Sequence, residues 1–167
     1  MKLELDNSLF TEEERENTPK RLKRFEKEWK NSSKFKFTIF PNLGYNQMII
    51  LKDIEFASLC AHHLLPFHGK ACIGYIPDKK ICGISKLARV LDKFAHTPQT
   101  QERLTEQVAD FLDKNLKPLG VMVVLEAAHD CMRIRGVQKQ NSVMITSALK
   151  GAFEYDTPRS EFLRLIK

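Results

Sequence analysis

Cys60, His63 and Cys131 constrain the folding of this chain more than any other residues. Cys60 and His63 lie three apart in Cys60-Ala61-His62-His63, so one short turn can aim both side chains at one point. Cys131 lies far downstream, and the fold has to carry it there. Two thiolates and one imidazole suit a borderline-soft ion such as Zn²⁺. Three protein ligands rather than four leave a position for water, a pattern of catalytic more than structural sites. His62 and His129 put imidazoles beside two of these ligands, where they could move protons. A lone Cys or His is usually a packed core residue, and Cys60-x-x-His63 alone is a weak signal. The His129-x-Cys131 pair strengthens it. Cys72 and Cys82 form no Cys-x-x-Cys pair and read as buried thiols. With no signal peptide and no membrane-length apolar run in evidence, the chain is expected to be cytoplasmic and its thiols reduced.

The length of 167 residues and 43% hydrophobic content fit one ordinary globular unit with a proper core. The expected division is a helical segment over 1–35 and a catalytic domain over 36–167. The net charge of +6 is partly local, since Lys20, Arg21, Lys23, Arg24, Lys27 and Lys30 crowd one segment. Such runs are usually a solvated helix face. No nucleic-acid motif accompanies the charge, so nucleic acid ranks below a pocket for a small polyanion.

Three Thr-Pro pairs, Thr18-Pro19, Thr97-Pro98 and Thr157-Pro158, each precede apolar residues at helical spacing, and each reads as N-cap plus first helical residue. Thr11 with Glu14 forms a capping-box pattern and predicts a short helix before the first. Another helix is expected from Ser85 as N-cap, burying Leu87, Val90, Leu91 and Phe94. Strands are expected over 47–58, 67–76, 121–128 and 143–149. The order predicts an α+β fold, an antiparallel four-stranded sheet with a helix pair on one face and helices at both ends of the chain. Residues 31–36 read as a joint between the first helix and the sheet.

Lys86 and Arg89 lie three apart on the polar side of the Ser85 helix, whose N-terminus favours anions. Arg133 and Arg135 flank Ile134, and strand alternation would place both on one face. Glu102, beside Gln101, begins the next helix, where the dipole favours a carboxylate. A buried Glu there could instead accept two N–H bonds from a guanine edge.

Four segments together resemble the GTP cyclohydrolase I family. Residues 56–67, around Cys60-Ala61-His62-His63, resemble its zinc-site segment, and residues 83–89, Gly-Ile-Ser-Lys-Leu-Ala-Arg, a second motif. Residues 101–107 resemble its guanine-recognition segment and 129–137 its second zinc segment. The resemblance runs from about Thr18 to the C-terminus, and four ordered motifs make it specific. It implies the tunnelling fold and a homo-oligomer, commonly a decamer of two pentamers with active sites between subunits. It also implies zinc-dependent opening of the GTP imidazole ring, formate release and rearrangement to 7,8-dihydroneopterin triphosphate. By position, Cys60, His63 and Cys131 match the zinc ligands, His62 and His129 the proton-transfer residues, and Ser85 a residue near the ribose. Gln101 and Glu102 match the guanine reader; Lys86, Arg89 and Arg135 match the triphosphate clamp, with Arg21 as a further phosphate contact. Folate, pterin cofactors and deazapurine nucleosides all begin with this step, and the sequence does not choose among them.

The chain departs from the family pattern in three places. Ala61 stands where Glu is usual, Ala95-His96-Thr97-Pro98 replaces a stretch that usually holds a basic residue, and few residues precede Thr18. The first departure predicts that Ala61→Glu shifts the pH–rate profile upward. A non-catalytic relative is disfavoured by the presence of both His62 and His129. The nitrile-reducing member of the fold is disfavoured by the metal-ligand set, and a zinc-stabilised nucleic-acid module by its need for four protein ligands.

Overall fold

The computed structural model describes residues 9–31 and 35–167. Helix α1 (Glu12–Asn31) leads to a short strand, β1 (Ile39–Pro41), and a long hairpin of β2 (Ile49–Cys60) and β3 (Pro66–Ile76). Strand β4 (Lys80–Cys82) then pairs with β1. Helices α2 (Ser85–Ala95) and α3 (Gln101–Leu116) follow, with a two-residue strand β5 (Pro98–Gln99) between them. The chain ends with β6 (Gly120–His129), a one-turn helix α4 (Asp130–Arg133), β7 (Met144–Gly151) and helix α5 (Asp156–Leu165). The main sheet has the order β5-β2-β3-β6-β7. Its four long strands are antiparallel, and β5 adds a parallel edge at Leu59↔Pro98 and Cys60↔Gln99.

Alternation on the strands decides which face meets the helices. Phe67, Ala71, Ile73 and Tyr75 of β3 and Val121, Val123, Leu125 and Ala127 of β6 share one core with Leu87, Val90 and Leu91 of α2 and Leu104, Val108 and Leu112 of α3. The opposite parity, Met122 among it, meets Phe153 and Phe162 in a smaller cluster. Strand β2 changes parity along its length. Its register shifts between Leu51 and Ile54, and Asp53 takes φ 57°. One extra residue at this bulge lets both Leu51 and Ile54 reach the same core. Close β3–β6 approach requires Gly69, since a Cβ there would lie 1.9 Å from the Glu126 carbonyl oxygen.

Two anchors set the direction of α2. At its start, the Cys82 amide donates to Tyr75 Oη (3.2 Å), near the far end of β3. At its end, Ser58 Oγ donates to the Ala95 carbonyl (2.7 Å), two residues before Cys60. The helix therefore spans the sheet from one end to the other, about 15 Å at 1.5 Å per residue.

Several local expectations are corrected. The two expected N-terminal helices are one. The Thr11–Glu14 box opens α1, with the Thr11 amide donating to Glu14 Oε2 (2.8 Å), and the helix runs through Pro19. Pro19 gives no N–H to the helical ladder, a loss of about 3 kcal/mol that α1 absorbs. Thr100, not Thr97, caps α3, its hydroxyl accepting from the Arg103 amide (3.3 Å), because Pro98 is drawn into the edge strand β5. Ser85 and Thr157 lie inside their helices rather than at the caps. Phe94 is half-buried and Ala95 takes the buried position. Most of the expected joint, residues 32–34, lies outside the described residues.

Candidate metal centre and proton-transfer site

A tight turn between β2 and β3 builds the centre. The Cys60 carbonyl accepts from the amides of His63 (3.2 Å) and Leu64 (2.7 Å), and the Cys60 amide donates to the Leu65 carbonyl (2.8 Å). Leu64 pays for this tightness with a left-handed backbone at φ 54°, about 1 kcal/mol for a residue with a side chain. The turn folds both imidazoles back over Cys60, whose Sγ lies 3.8 Å from His62 Nδ1 and 3.7 Å from His63 Nδ1. From the other side, α4 delivers Cys131. One donor atom each from Cys60, His63 and Cys131 lies within 4.8 Å of the others.

The donor set fits a thiophilic divalent ion. Metal–sulfur and metal–nitrogen bonds of about 2.3 and 2.0 Å at a tetrahedral angle put ligand atoms about 3.5 Å apart. The 3.7 Å between Cys60 Sγ and His63 Nδ1 is close to that edge. Burial, followed by the adjacent Cys60, pushes the Cys131 thiol up. Two neighbouring thiols resist joint ionisation, and a cation between them removes that resistance.

An imidazole, an amide and a guanidinium lie around the donors. The His129 ring stacks on Phe67, with centroids 4.7 Å apart and planes at 2°. Its Nε2 is 2.8 Å from Gln101 Oε1. Burial pushes the imidazole below its ordinary value, opposed by the charges of Glu102 and then Asp130. Arg135 Nη1 is 2.9 Å from His63 Nε2.

The placement of Arg133 and Arg135 differs from the strand expected. Asp130–Arg133 is a helical turn closed by the Ile134 amide on the Asp130 carbonyl (3.0 Å), too short to display helical periodicity in sequence. Arg133 therefore turns away and donates from Nε to the Gln140 carbonyl (2.8 Å), while Arg135 faces His63. Gln101 also differs from expectation. It is 1% exposed, and its amide is spent on protein groups, whereas Glu102 beside it is exposed on the first turn of α3. Phe67, Thr105 and Thr146 were not singled out from sequence as site residues. A hydroxyl at Thr105, one helical turn after Gln101 on a buried face, was the available signal.

The remaining expected residues lie elsewhere. Ser85 and Lys86 open α2 and Arg89 lies near its middle, toward the end of the helix away from the Ser58 anchor. Arg21 lies on α1, paired with Glu13. Among the described residues, no hydrogen bond or ion pair joins these four to Cys60, His63 or Cys131. The end of α1 meets the end of α2 where Trp29 packs edge-on against His96, with centroids 4.7 Å apart.

The family model for GTP cyclohydrolase I matches residues 3–167. The chain belongs to the GTP cyclohydrolase I family. GTP cyclohydrolase 1 of Sulfurihydrogenibium sp. is 51% identical over 152 residues, covering 90% of this chain and 81% of the relative. The Aquifex aeolicus protein of the same name is 53% identical over 152 residues, covering 90% and 83%. That of Hydrogenobaculum sp. is 48% identical over 160 residues, covering 95% and 88%. Among solved structures, the apo archaeosine synthase QueF-Like superposes with a TM-score of 0.52 at 15% identity, over 63% of this chain and 94% of that one. That likeness is one of fold, in agreement with the tunnelling fold implied by the sequence. The GTP cyclohydrolase I family is one of enzymes, and this chain is an enzyme of it.

Proposed function

We propose that this chain hydrolyses the imidazole ring of GTP, releases formate and rearranges the remainder to 7,8-dihydroneopterin triphosphate. The convergence of Cys60, His63 and Cys131 within 4.8 Å, flanked by His62 and His129, carries this reading. Cys60, His63 and Cys131 would hold zinc. When bound, zinc supplies the Lewis acidity that hydration at purine C8 requires. His129, half-buried and stacked on Phe67, takes or returns a proton at the opening ring, and His62 serves on the side of the turn. Glu102, exposed beside His129, accepts N–H bonds from the guanine edge. Arg135, next to His63, meets the phosphate nearest the purine.

Lys86 and Arg89 grip the rest of the triphosphate, Ser85 meets the ribose and Arg21 adds a phosphate contact. Among the described residues no hydrogen bond or ion pair joins the α2 group to the metal donors of its own chain, and we assign these contacts to a neighbouring copy. The sheet edges support such an assembly. Among the described residues, the outer edge of β7 is unpaired, and β5 covers only the last two residues of β2. Two unlike open edges pair head to tail, and head-to-tail contacts that close form rings. Two stacked pentameric rings, with residues 1–35 as a helical segment beside the 36–167 domain, is the arrangement we propose. Among the described residues, no helix is long and apolar enough to cross a membrane. We place the enzyme in the cytoplasm, at the entry to reduced pterins and folates.

The test is GTP turnover by purified, zinc-loaded protein, followed by formate release and by pterin fluorescence after oxidation, with Cys131→Ala as control. Both products, lost in the control, are expected. Formate without pterin would place the failure at the rearrangement, near Ser85 or Ala61. Neither product from folded, metal-loaded protein would overturn the proposal.

A further inference from the structure

We infer that Gln101 is a positioning residue that fixes His129 as its Nε2–H tautomer, leaving Nδ1 as the ring's acceptor nitrogen. The inference rests on the cyclohydrolase reading for its catalytic consequence, but the tautomer itself follows from hydrogen-bond accounting alone.

The two ends of a glutamine amide are told apart by their partners. One end of Gln101 faces the carbonyl oxygens of Leu125 (3.1 Å) and Met144 (3.0 Å), which can only accept. That end must be the NH₂. It also faces Thr146 Oγ1 at 3.1 Å, and a chain of hydroxyls settles the role of that oxygen. Thr105 Oγ1 gives its one proton to the Gln101 carbonyl (2.7 Å). The Thr105–Thr146 hydroxyl contact (2.7 Å) must then carry the Thr146 proton toward Thr105. Thr146 is left with a lone pair toward the amide. Turning the amide over would press Oε1 against two carbonyls and leave buried acceptors without donors, which is costly. Oε1 therefore faces His129 Nε2 at 2.8 Å, and an oxygen that can only accept requires Nε2 to carry the proton.

The arrangement is built rather than incidental. Gln101 and Thr105 are each 1% exposed, on the first turns of α3, and the two carbonyls that Gln101 engages belong to β6 and β7. The amide thus locks α3 to the sheet with one end and sets the imidazole with the other. Phe67 stacks on the ring and holds its plane. This assignment differs from that of a guanine reader, because no amide group of Gln101 is left for a base.

The experiment uses full-length, zinc-loaded protein labelled with ¹⁵N-histidine, whose five histidines are read by solid-state ¹⁵N spectroscopy and assigned with His129→Gln. Wild type is expected to show pyrrole-type Nε2 and pyridine-type Nδ1 at His129. Gln101→Met removes the acceptor at similar volume. It should mix the tautomers and lower kcat by about tenfold or more, with KM for GTP changed less than about threefold. Gln101→Glu keeps an oxygen toward Nε2 but sets its other oxygen against the two carbonyls, so it should recover the tautomer with only part of kcat and a lower Tm. Thr146→Val, a milder change, should loosen the preference with a smaller loss of kcat. An Nδ1–H tautomer in wild type would overturn the inference, and so would a Gln101→Met enzyme altered in KM alone, which would make Gln101 a substrate reader. A wild type without GTP turnover defeats the functional reading, while the ¹⁵N spectrum still decides the tautomer.

Discussion

The two ends of the sheet are prepared to different degrees. At one end, the turn after β2, the start of α3, the end of β6 and α4 converge within a single chain. Cys60, His63, Cys131, His129, Gln101 and Arg135 already touch or nearly touch one another. At the other end, Ser85, Lys86 and Arg89 begin α2 with no side-chain cap on the helix and no polar partner near the metal donors. Chemistry that needs fixed geometry is set up in one chain, because a displacement of about 1 Å at reacting atoms is costly. Charge attraction for a triphosphate acts over a longer range and can be supplied by a second copy.

The largest expected effect separates the ends by function. Cys131→Ala should abolish stoichiometric metal and lower turnover by at least about a thousandfold, since Lewis-acid stabilisation amounts to several kcal/mol. Equilibrium GTP binding, measured by calorimetry, should weaken far less, because the proposed phosphate contacts other than Arg135 lie on α1 and α2. Equal loss of binding and turnover would mean that the two ends are one site in one chain.

Next is the clamp. Lys86→Ala should leave metal content unchanged and lower kcat/KM by about 10- to 100-fold, the loss of a charge-assisted phosphate contact. Co-refolding Lys86→Ala with Cys131→Ala in equal amounts sharpens the comparison. If each site takes metal donors from one chain and the clamp from another, about a quarter of the sites in mixed assemblies regain both. Activity above the sum of the two variants is the expected result. No recovery in demonstrably mixed oligomers would place clamp and metal in the same chain.

The sequence made the metal end easier to read than the rest of the fold. Cys60-x-x-His63 and His129-x-Cys131 name the donors, and four long apolar strands predict a sheet that brings the two motifs together. Three short strands escaped notice because two or three residues carry no period. Thr97-Pro98 resembled a helix start since Thr and Pro favour N-cap and first positions. Backbone pairing with Leu59 and Cys60 overrode that local preference. Pro19 misled in the same way, because the Thr11–Glu14 box had already opened the helix. The Gln101 network was illegible for another reason. Its partners lie on α3, β6 and β7, far apart in sequence, and only the packed sheet brings a carbonyl, a second carbonyl and a hydroxyl to one amide.

The smallest expected effect tests the middle of α2, between the two ends. Asp92 lines a groove of about 580 Å³ with Glu55, His68, Lys70 and His96. Burial raises its carboxyl above the ordinary value, against the pull of His96 and Arg89. A carboxyl raised in the folded state binds protons more tightly there than in the unfolded chain. Its ionisation therefore subtracts stability as pH rises from the unfolded value through the folded one. Asp92→Asn removes the charge, so Tm at pH 7 should rise by about 1–3 °C, a gain discounted because solvent screens half of the group. The gain should vanish below the unfolded carboxyl value near pH 4, where wild type is neutral too. Turnover should change by less than about threefold, since Asp92 faces no metal donor and meets the clamp only through the charge of Arg89. A fall in kcat/KM for GTP would instead extend the phosphate-binding end along the helix.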